Sequence, residues 1–252
     1  TAIEIAQGEY IQFLDADDTL EVGLIIEYLD CATQQNLDVY GYWMDFVDEN
    51  GAQVANKEYD PFQYNTRHTG QELLVAGYQP SSICVFLIKR QLLIKENLRI
   101  VPKITHMDVE FMTRVMLKAK QVFFSSEVGY HYTQRVGSIT KPQTREKLEN
   151  FLFDEVIVAG LIRENISDEH DAHINAAITK NYNSVVWNLL YRLWTKKEIS
   201  VAFISKCKRA LESENLYPIS GPLKTRYQHI TRIFMNNHIF WHLLHKRCTG
   251  NG

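Results

Sequence analysis

Three aspartates lie within four residues near the start of the sequence, at positions 15, 17 and 18. Their carboxylates repel one another, so the arrangement needs a cation or hydrogen-bond donors to offset the repulsion. An Asp-x-Asp turn can present oxygen ligands to Mn²⁺ or Mg²⁺, and such an ion neutralises a diphosphate group. The spacing therefore predicts a divalent metal site at Asp15 and Asp17. The alternative is that Asp18 only caps the next helix while the other two carboxylates are solvated.

The elements around the aspartates are predicted from the pattern of apolar residues. Residues 9–14 indicate a strand and residues from Thr19 onward indicate a helix, which places the aspartates on a strand-to-helix turn. Strands and helices alternate further along the chain, and only helices are predicted after about residue 140. The change predicts an α/β domain over residues 1–140, followed by an all-helical appendage over residues 141–252.

A second carboxylate with potential chemistry is Asp108, in the first turn of a helix predicted to open at Thr105. A helix N-terminus lowers the pKa of a carboxylate, so a general base there needs partial burial or an acidic neighbour to raise its pKa again. Glu110 is such a neighbour. From the residues alone, Asp108 is better explained as a carboxylate that accepts hydrogen bonds from free backbone N–H groups.

Three segments resemble one enzyme family. Residues 6–18, Ala-Gln-Gly-Glu-Tyr-Ile-Gln-Phe-Leu-Asp-Ala-Asp-Asp, resemble the central signature of family 2 glycosyltransferases of the GT-A fold. Residues 106–111 are similar to the family's Glu-Asp-x-x-Phe element, with Met107 in place of its usual acidic residue. Residues 130–140 resemble the Tyr-x-x-Arg-x-Gly-Ser ending of the catalytic domain. The resemblance implies a partial GT-A fold over residues 1–140, with a nucleotide-binding half that precedes this sequence in a longer enzyme.

The resemblance also implies roles for individual residues. Asp108 matches the general base of inverting members, and Asp17 matches the ligand of a divalent metal, Mn²⁺ or Mg²⁺. Asp15 is implied as a contact to the metal or to the donor, and Arg135 and Ser138 are implied as contacts to the donor diphosphate. Three further candidates for the site are Asp18, Glu110 and His131. His131 is either a third metal ligand or an ordinary histidine of an aromatic strand.

The function implied by the resemblance is inverting transfer of a sugar from a UDP- or GDP-sugar to an acceptor hydroxyl. The acceptor would be a saccharide or a lipid-linked molecule in bacterial surface polysaccharide or glycolipid synthesis. Residues 13–20 also fit the Asp-x-Asp-x-Thr-Leu signature of haloacid-dehalogenase-type phosphatases. Those enzymes need a later paired-aspartate motif, and none follows Asp18. A further alternative is a non-catalytic fragment that serves in interaction or scaffolding.

Whole-chain composition narrows the class of protein. The net charge of −3 gives no case for nucleic-acid binding. The four cysteines form no Cys-x-x-Cys pair, which favours a reducing, cytoplasmic location. No apolar run reaches the roughly 18 residues that a membrane span requires. The longest, residues 151–162, is interrupted by Asp154 and Glu155.

The end of the chain is basic and rich in large apolar side chains. Beyond Glu214 the sequence has no acidic residue. Such a composition suits the surface of an anionic membrane, so residues 222–247 are predicted to make peripheral contact at the inner face of the plasma membrane. The alternative is that these helices pack on one another or on the catalytic domain. The apolar side chains concerned are Ile230, Phe234, Ile239, Phe240, Trp241, Leu243 and Leu244.

Overall fold

The structure, a computed structural model, describes residues 2–55, 62–135, 144–196 and 198–249. The chain divides into two compact units, which are treated separately. The first takes in Thr1–Val101 and Phe111–Ser138, and the second takes in Pro102–Glu110 and Ile139–Gly252.

The first unit is a mixed α/β structure, as the sequence predicts. Its described elements are α1 (Ala2–Ile5), β1 (Tyr10–Gln12), β2 (Thr19–Leu20), α2 (Val22–Gln34), β3 (Val39–Val47), β4 (Gln53–Ala55), β5 (Arg67–His68), α3 (Gly70–Ala76), β6 (Phe86–Lys89), α4 (Arg90–Lys95), α5 (Met107–Lys118) and β7 (Val122–Thr133). Helix α5 begins in the second unit and continues into the first.

The described strands of this unit form one sheet in the order β1-β6-β3-β7-β2. Strand β4 pairs with β3, and β5 pairs with β7. Strands β3 and β7 run parallel, whereas the other pairs are antiparallel. Strand β7 lies between β3 and β2, so residues near its end are fixed by backbone pairing on both sides.

The core of the first unit surrounds β3, in which Val39 and Tyr42 are fully buried. Gly41 lies between two aromatic rings of the neighbouring strands. A Cβ atom at this position would come within 2.8 Å of the rings of both Phe86 and Phe124. Only glycine therefore lets both rings pack against the backbone of β3.

The helix predicted from Thr19 begins at Val22 instead. Thr19 and Leu20 form the short strand β2, which pairs with β7 opposite His131 and Tyr130. The aspartates therefore lie on a turn between two strands and not on a strand-to-helix turn. Local periodicity predicted the helix too early because a two-residue strand is stabilised by pairing with a segment more than 100 residues away.

In the second unit, every described element after α5 is a helix. The long pair α6 and α7 carries much of the core, and Leu152, Ile162, Ile178 and Leu190 are fully buried. Among the helices that the structure describes, none contains an apolar stretch sufficient to span a lipid bilayer. The helices are α6 (Arg145–Arg163), α7 (Ala172–Thr195), α8 (Val201–Ser213), α9 (Arg226–Met235) and α10 (His238–Thr249).

The apolar side chains near the end of the chain divide into two groups. Phe240, Trp241 and Leu244 are buried in the second unit, whereas Ile230 and Ile239 are exposed. The prediction that the whole set faces a membrane is therefore wrong for the three buried residues, which pack inside the helical unit. Helix α10 turns them inward because positions 240, 241 and 244 fall on one face of a helix.

Candidate active site

The aspartate turn connects β1 to β2 in the first unit. The backbone N–H of Asp18 donates to the carbonyl of Asp15 at 3.2 Å, which closes a tight turn over residues 15–18. Strand β1 is fixed just before the turn by a network of partly buried polar groups. The hydroxyl of Tyr42 donates to the side-chain carbonyl of Gln12 at 2.5 Å, and Gln12 donates to the carbonyl of Cys84 at 2.6 Å. These hydrogen bonds fix the residues before the turn to β3 and to the segment before β6.

Asp18 differs from the other two aspartates because it is buried. Its carboxylate accepts hydrogen bonds from the hydroxyl of Tyr130 at 2.5 Å and from the backbone N–H of Thr133 at 2.8 Å. Helix α2 has Glu21 as its N-cap residue, and no side-chain hydrogen bond caps it. The reading of Asp18 as a helix cap is therefore wrong. Its charge is offset by donors from β7 and it fixes the turn to that strand.

Asp15 and Asp17 keep their carboxylates accessible. Asp15 is exposed and Asp17 is partly exposed. Although the residue is exposed as a whole, neighbouring protein atoms remove part of the solvent around the Asp15 carboxylate. This desolvation, followed by the negative charges of Asp18 and Asp17, raises the pKa of Asp15. A cation beside the turn would remove this repulsion, and carboxylate oxygens are ligands that hard divalent cations prefer. Among the described residues, no cluster of three or more metal-binding side chains occurs, so the protein offers two carboxylates here and not a complete metal cage.

Arg135 lies beside the aspartates, just beyond the end of β7. Its Nε atom is 2.8 Å from a carboxylate oxygen of Asp17, and the two side chains are 53% and 32% exposed. An ion pair with this exposure contributes little to stability, so the guanidinium can exchange Asp17 for another anion at small cost. Ser138, the other predicted diphosphate contact, lies outside the described residues.

His131 is held between two carboxylates of the first unit. Its Nδ1 atom lies 2.6 Å from Asp45 on β3, and its Nε2 atom lies 3.7 Å from Glu21. The sequence did not indicate either partner, because both are brought to His131 by pairing of β7 with β3 and β2. Whether His131 is a metal ligand stays a prediction, and Asp45 contacts one of its two ring nitrogens.

Asp108 and Glu110 belong to the second unit, in the first turn of α5. The carboxylate of Asp108 accepts a hydrogen bond from the backbone N–H of Val109 at 2.9 Å. Glu110 is buried. The segment before the helix is fixed to α6, since both the backbone N–H and the hydroxyl of Thr105 donate to Asp154, at 2.8 and 2.9 Å. The position of the proposed base is therefore set by contacts with α6.

A buried ionic cluster lies directly beside this segment. Glu155 of α6 contacts Arg192 of α7 at 2.8 Å and His106 at 3.8 Å. Burial raises the pKa of Glu155 to about 7, although Arg192 opposes the shift. Burial, and next the charge of Arg192, lowers the pKa of His106 to about 4. The sequence signal for this cluster was the pair of acidic residues inside the apolar run 151–162.

Comparison with known proteins was made on sequence and on structure, and no family model matches the sequence. The chain is 30% identical over 149 residues to a cholesterol galactosyltransferase of Borreliella burgdorferi, a match that covers 54% of this chain and 40% of that protein. It is 23% identical over 144 residues to the uncharacterized glycosyltransferase YibD of Escherichia coli, covering 55% and 42% of the two chains. The matched regions span less than half the length of either relative.

The fold has solved counterparts in S. aureus TarS 1–349. The structure in complex with UDP-GlcNAc matches with a TM-score of 0.60 and 15% identity, over 99% of this chain and 70% of that one. The structure in complex with UDP matches with a TM-score of 0.55 and 15% identity, over 100% and 70%. At this identity the likeness shows the fold alone.

The chain is related to glycosyltransferases, and it has the fold of TarS. The predicted resemblance to glycosyltransferases and the predicted α/β class are thereby confirmed.

Proposed function

We propose that the chain is part of an inverting family 2 glycosyltransferase, which transfers a sugar from a nucleotide-diphosphate donor to an acceptor hydroxyl. The observation that carries the proposal is the turn on which Asp15 and Asp17 are accessible, with Arg135 beside them and Asp18 fixing the backbone. The TarS complexes with UDP-GlcNAc and UDP support a UDP-sugar as donor. A GDP-sugar is the alternative donor.

Asp15 and Asp17 would hold the divalent metal, Mn²⁺ or Mg²⁺. Their hard oxygen atoms fit such an ion. The pKa of Asp15 is raised first by partial desolvation and then by the charges of Asp18 and Asp17, and a positive ion would relieve the repulsion from these two charges. A bound ion supplies charge that stabilises a diphosphate leaving group. Arg135 would leave Asp17 and bind the diphosphate through its planar guanidinium, and Ser138 would add a further contact.

Asp108 would act as the general base that takes the proton from the acceptor hydroxyl. It lies in the first turn of α5, where its carboxylate accepts a hydrogen bond from the backbone N–H of Val109, and its neighbour Glu110 is buried. The Borreliella relative acts on cholesterol by its name, which supports a lipid or lipid-linked acceptor over a free saccharide.

The cellular role would be bacterial surface polysaccharide or glycolipid synthesis. Catalysis would take place in the cytoplasm, at the inner face of the plasma membrane, with residues 222–247 in peripheral contact with the bilayer. Such a location would bring a lipid-linked acceptor within reach of the active site.

Titration of UDP into the full-length protein, with and without Mn²⁺, tests the donor site. We expect binding that depends on Mn²⁺ and is lost in Asp17→Asn, because this change removes the charge of one metal ligand while preserving its shape. Asp30→Asn, at an exposed position of α2, is the matched control and should bind normally. Absence of any metal-dependent binding to the unmodified protein would favour the scaffold alternative.

The base is tested by Asp108→Asn in a single-turnover assay of sugar transfer. The substitution should lower the rate by about 10²- to 10⁴-fold while UDP binding stays normal, since a general base acts on the acceptor and not on the donor. Asp168→Asn, at an exposed position of the second unit, should leave the rate unchanged. A fully active Asp108→Asn protein would show that another group takes the proton.

A further inference from the structure

Helix α9 has an apolar face that is exposed to solvent. The side chains of Tyr227, Ile230 and Ile233 are 58%, 68% and 74% exposed, and Phe234 is 40% exposed. Spacings of three, three and one residues place all four on one side of the helix. Large apolar side chains grouped in this way on a folded unit mark a surface that contacts something else.

The helix is firmly held by its opposite face, so its exposed side is not the result of loose packing. Gln228 and Met235 are buried. The indole N–H of Trp187 on α7 donates to the hydroxyl of Thr231 at 2.9 Å. Thr225 and Gln228 form a capping box at the start of the helix. The orientation of α9 is therefore fixed by the second unit itself.

Helix α10 repeats the arrangement. Ile239 and Leu243 are exposed, on the face of the helix next to the one that carries the buried Phe240 and Leu244. The two helices are adjacent in the chain, and the ring of Phe234 packs against that of Phe240 at 5.5 Å between centroids. The exposed apolar residues of α9 and α10 are called the α9–α10 face: Tyr227, Ile230, Ile233, Phe234, Ile239 and Leu243.

The charged residues around the α9–α10 face indicate which kind of partner it binds. Lys224, Arg226 and Lys246 are exposed, and no acidic residue occurs after Glu214. The guanidinium of Arg232 donates a hydrogen bond to the carbonyl of Gly221. Lys224, Arg226 and Lys246 are therefore the cations of this segment that we expect to contact an external anion. Apolar side chains bordered by lysine and arginine are the composition with which helices lie in an anionic lipid surface.

The same charges argue against a second copy of this chain as the occupant. Self-association through a two-fold axis would place the α9–α10 face of one copy on that of the other. The cations around each face would then approach those of its partner with no acidic side chain of this segment to offset them, which is unfavourable.

We propose that the α9–α10 face docks on an anionic membrane surface, with its apolar side chains among the acyl chains and Lys224, Arg226 and Lys246 beside the headgroups. The inference deepens the peripheral membrane contact of the proposed function. It assigns the membrane contact to side chains that the fold leaves outside the core. Phe240, Trp241 and Leu244 are buried and are therefore not part of the proposed contact.

Co-sedimentation of the full-length protein with vesicles tests the assignment. We expect binding to vesicles of phosphatidylcholine with about one-third phosphatidylglycerol, weakening as salt is raised, and much less binding to pure phosphatidylcholine. The double substitution Ile230→Asp with Ile233→Asp should reduce binding about tenfold or more, because it places charge where apolar contact is proposed. Each of Lys224→Gln, Arg226→Gln and Lys246→Gln should reduce binding about fivefold.

Ile26→Asp is the matched control, since Ile26 is 59% exposed on α2 of the first unit. It should bind vesicles normally. All six substituted positions are exposed, and an unchanged melting temperature will show that each variant is folded. Absence of binding to anionic vesicles at low salt, or normal binding by the double aspartate variant, would overturn the proposal. A dimer that the double variant abolishes, without vesicle binding, would assign the face to a second copy.

Failure of this proposal is distinguishable from failure of the proposed transferase function. Vesicle binding needs no nucleotide-sugar, so Asp17→Asn should bind vesicles like the unmodified protein even though it loses metal-dependent UDP binding. If the protein binds UDP and transfers sugar but does not bind vesicles, only the proposal of a membrane-docking surface is refuted. A protein that binds vesicles but never binds UDP would refute only the transferase site.

Discussion

The two units differ in how far their carboxylates are exposed to solvent. In the first unit, Asp15 and Asp17 stay accessible to solvent on a turn, and only Asp18 is buried against donors from β7. In the second unit, Glu155 is removed from water almost completely and faces Arg192 and His106. The first arrangement leaves negative charge available to an external cation, whereas the second uses a carboxylate to join helices and the segment before α5.

The role of a carboxylate therefore cannot be inferred from its presence in the aspartate motif alone. Asp17 and Asp18 are neighbours in the same acidic cluster, yet one meets an exposed arginine and the other a buried hydroxyl and a backbone N–H. A carboxylate whose oxygens are all satisfied by the protein contributes to stability, and one that is left accessible contributes to binding. The following predictions test this distinction.

The largest effect on stability is expected for Asp18→Ala. The change leaves the hydroxyl of Tyr130 and the N–H of Thr133 without their acceptor and should lower the free energy of unfolding by about 3 kcal/mol. Asp17→Ala should lower it by less than about 1 kcal/mol, since its partner is exposed. Urea-induced unfolding measures both. Equal losses in the two variants would contradict the division into a structural and an accessible aspartate.

A pH-dependent effect is expected in the second unit. The folded-state pKa of Glu155, about 7, lies above its ordinary 4.5, so its contribution to stability is present at low pH and is lost as pH rises through 7. The folded-state pKa of His106, about 4, lies below its ordinary 6.5, so its contribution is lost as pH falls. Between pH 7 and 5 the two trends oppose each other, and the unmodified protein should change little.

Glu155→Gln removes one of these opposing trends. The variant should then lose about 2 kcal/mol of stability when pH falls from 7 to 5, because the trend from His106 acts alone. Unfolding in urea at both pH values measures the difference. Glu164→Gln, at an exposed position at the end of α6, should behave like the unmodified protein. A flat profile in Glu155→Gln would show that the cluster does not titrate in this range.

A smaller effect is expected for Tyr130→Phe. It removes the hydroxyl that donates to Asp18 and accepts from the backbone N–H of Asp15, and should cost about 1.5 kcal/mol of unfolding free energy. Tyr132→Phe, two residues along the same strand, is the control for removal of a hydroxyl. The idea that Tyr130 holds the turn fails if both variants unfold at the same urea concentration.

The smallest stability effect is expected for Arg135→Gln. Its ion pair with Asp17 is largely exposed, so the free energy of unfolding should change by less than about 1 kcal/mol. Affinity for UDP should nevertheless fall clearly, because the guanidinium is proposed to bind the diphosphate. Arg67→Gln, also exposed, should change neither quantity. A large loss of stability with normal UDP binding would make Arg135 a structural residue.

The order of secondary-structure elements could largely be predicted from the amino-acid sequence. Alternation of strand and helix patterns predicted the α/β unit, the later periodicity predicted the helices, and the spacing of Asp15 and Asp17 identified the accessible pair. These features are local, since a few neighbouring residues fix a helical or extended pattern. The resemblance to glycosyltransferases also rested on short contiguous segments, and it is confirmed by the sequence relatives.

The contacts between distant side chains could not be predicted and follow from the folded arrangement of strands and helices. The role of Asp18 depends on Tyr130, 112 residues away, and the two carboxylates beside His131 come from β3 and from the start of α2. The same holds for the α9–α10 face, because composition cannot tell Ile230 from Leu244 until packing buries one and exposes the other. Such pairings follow from sheet register and helix packing, which join residues that the sequence keeps far apart.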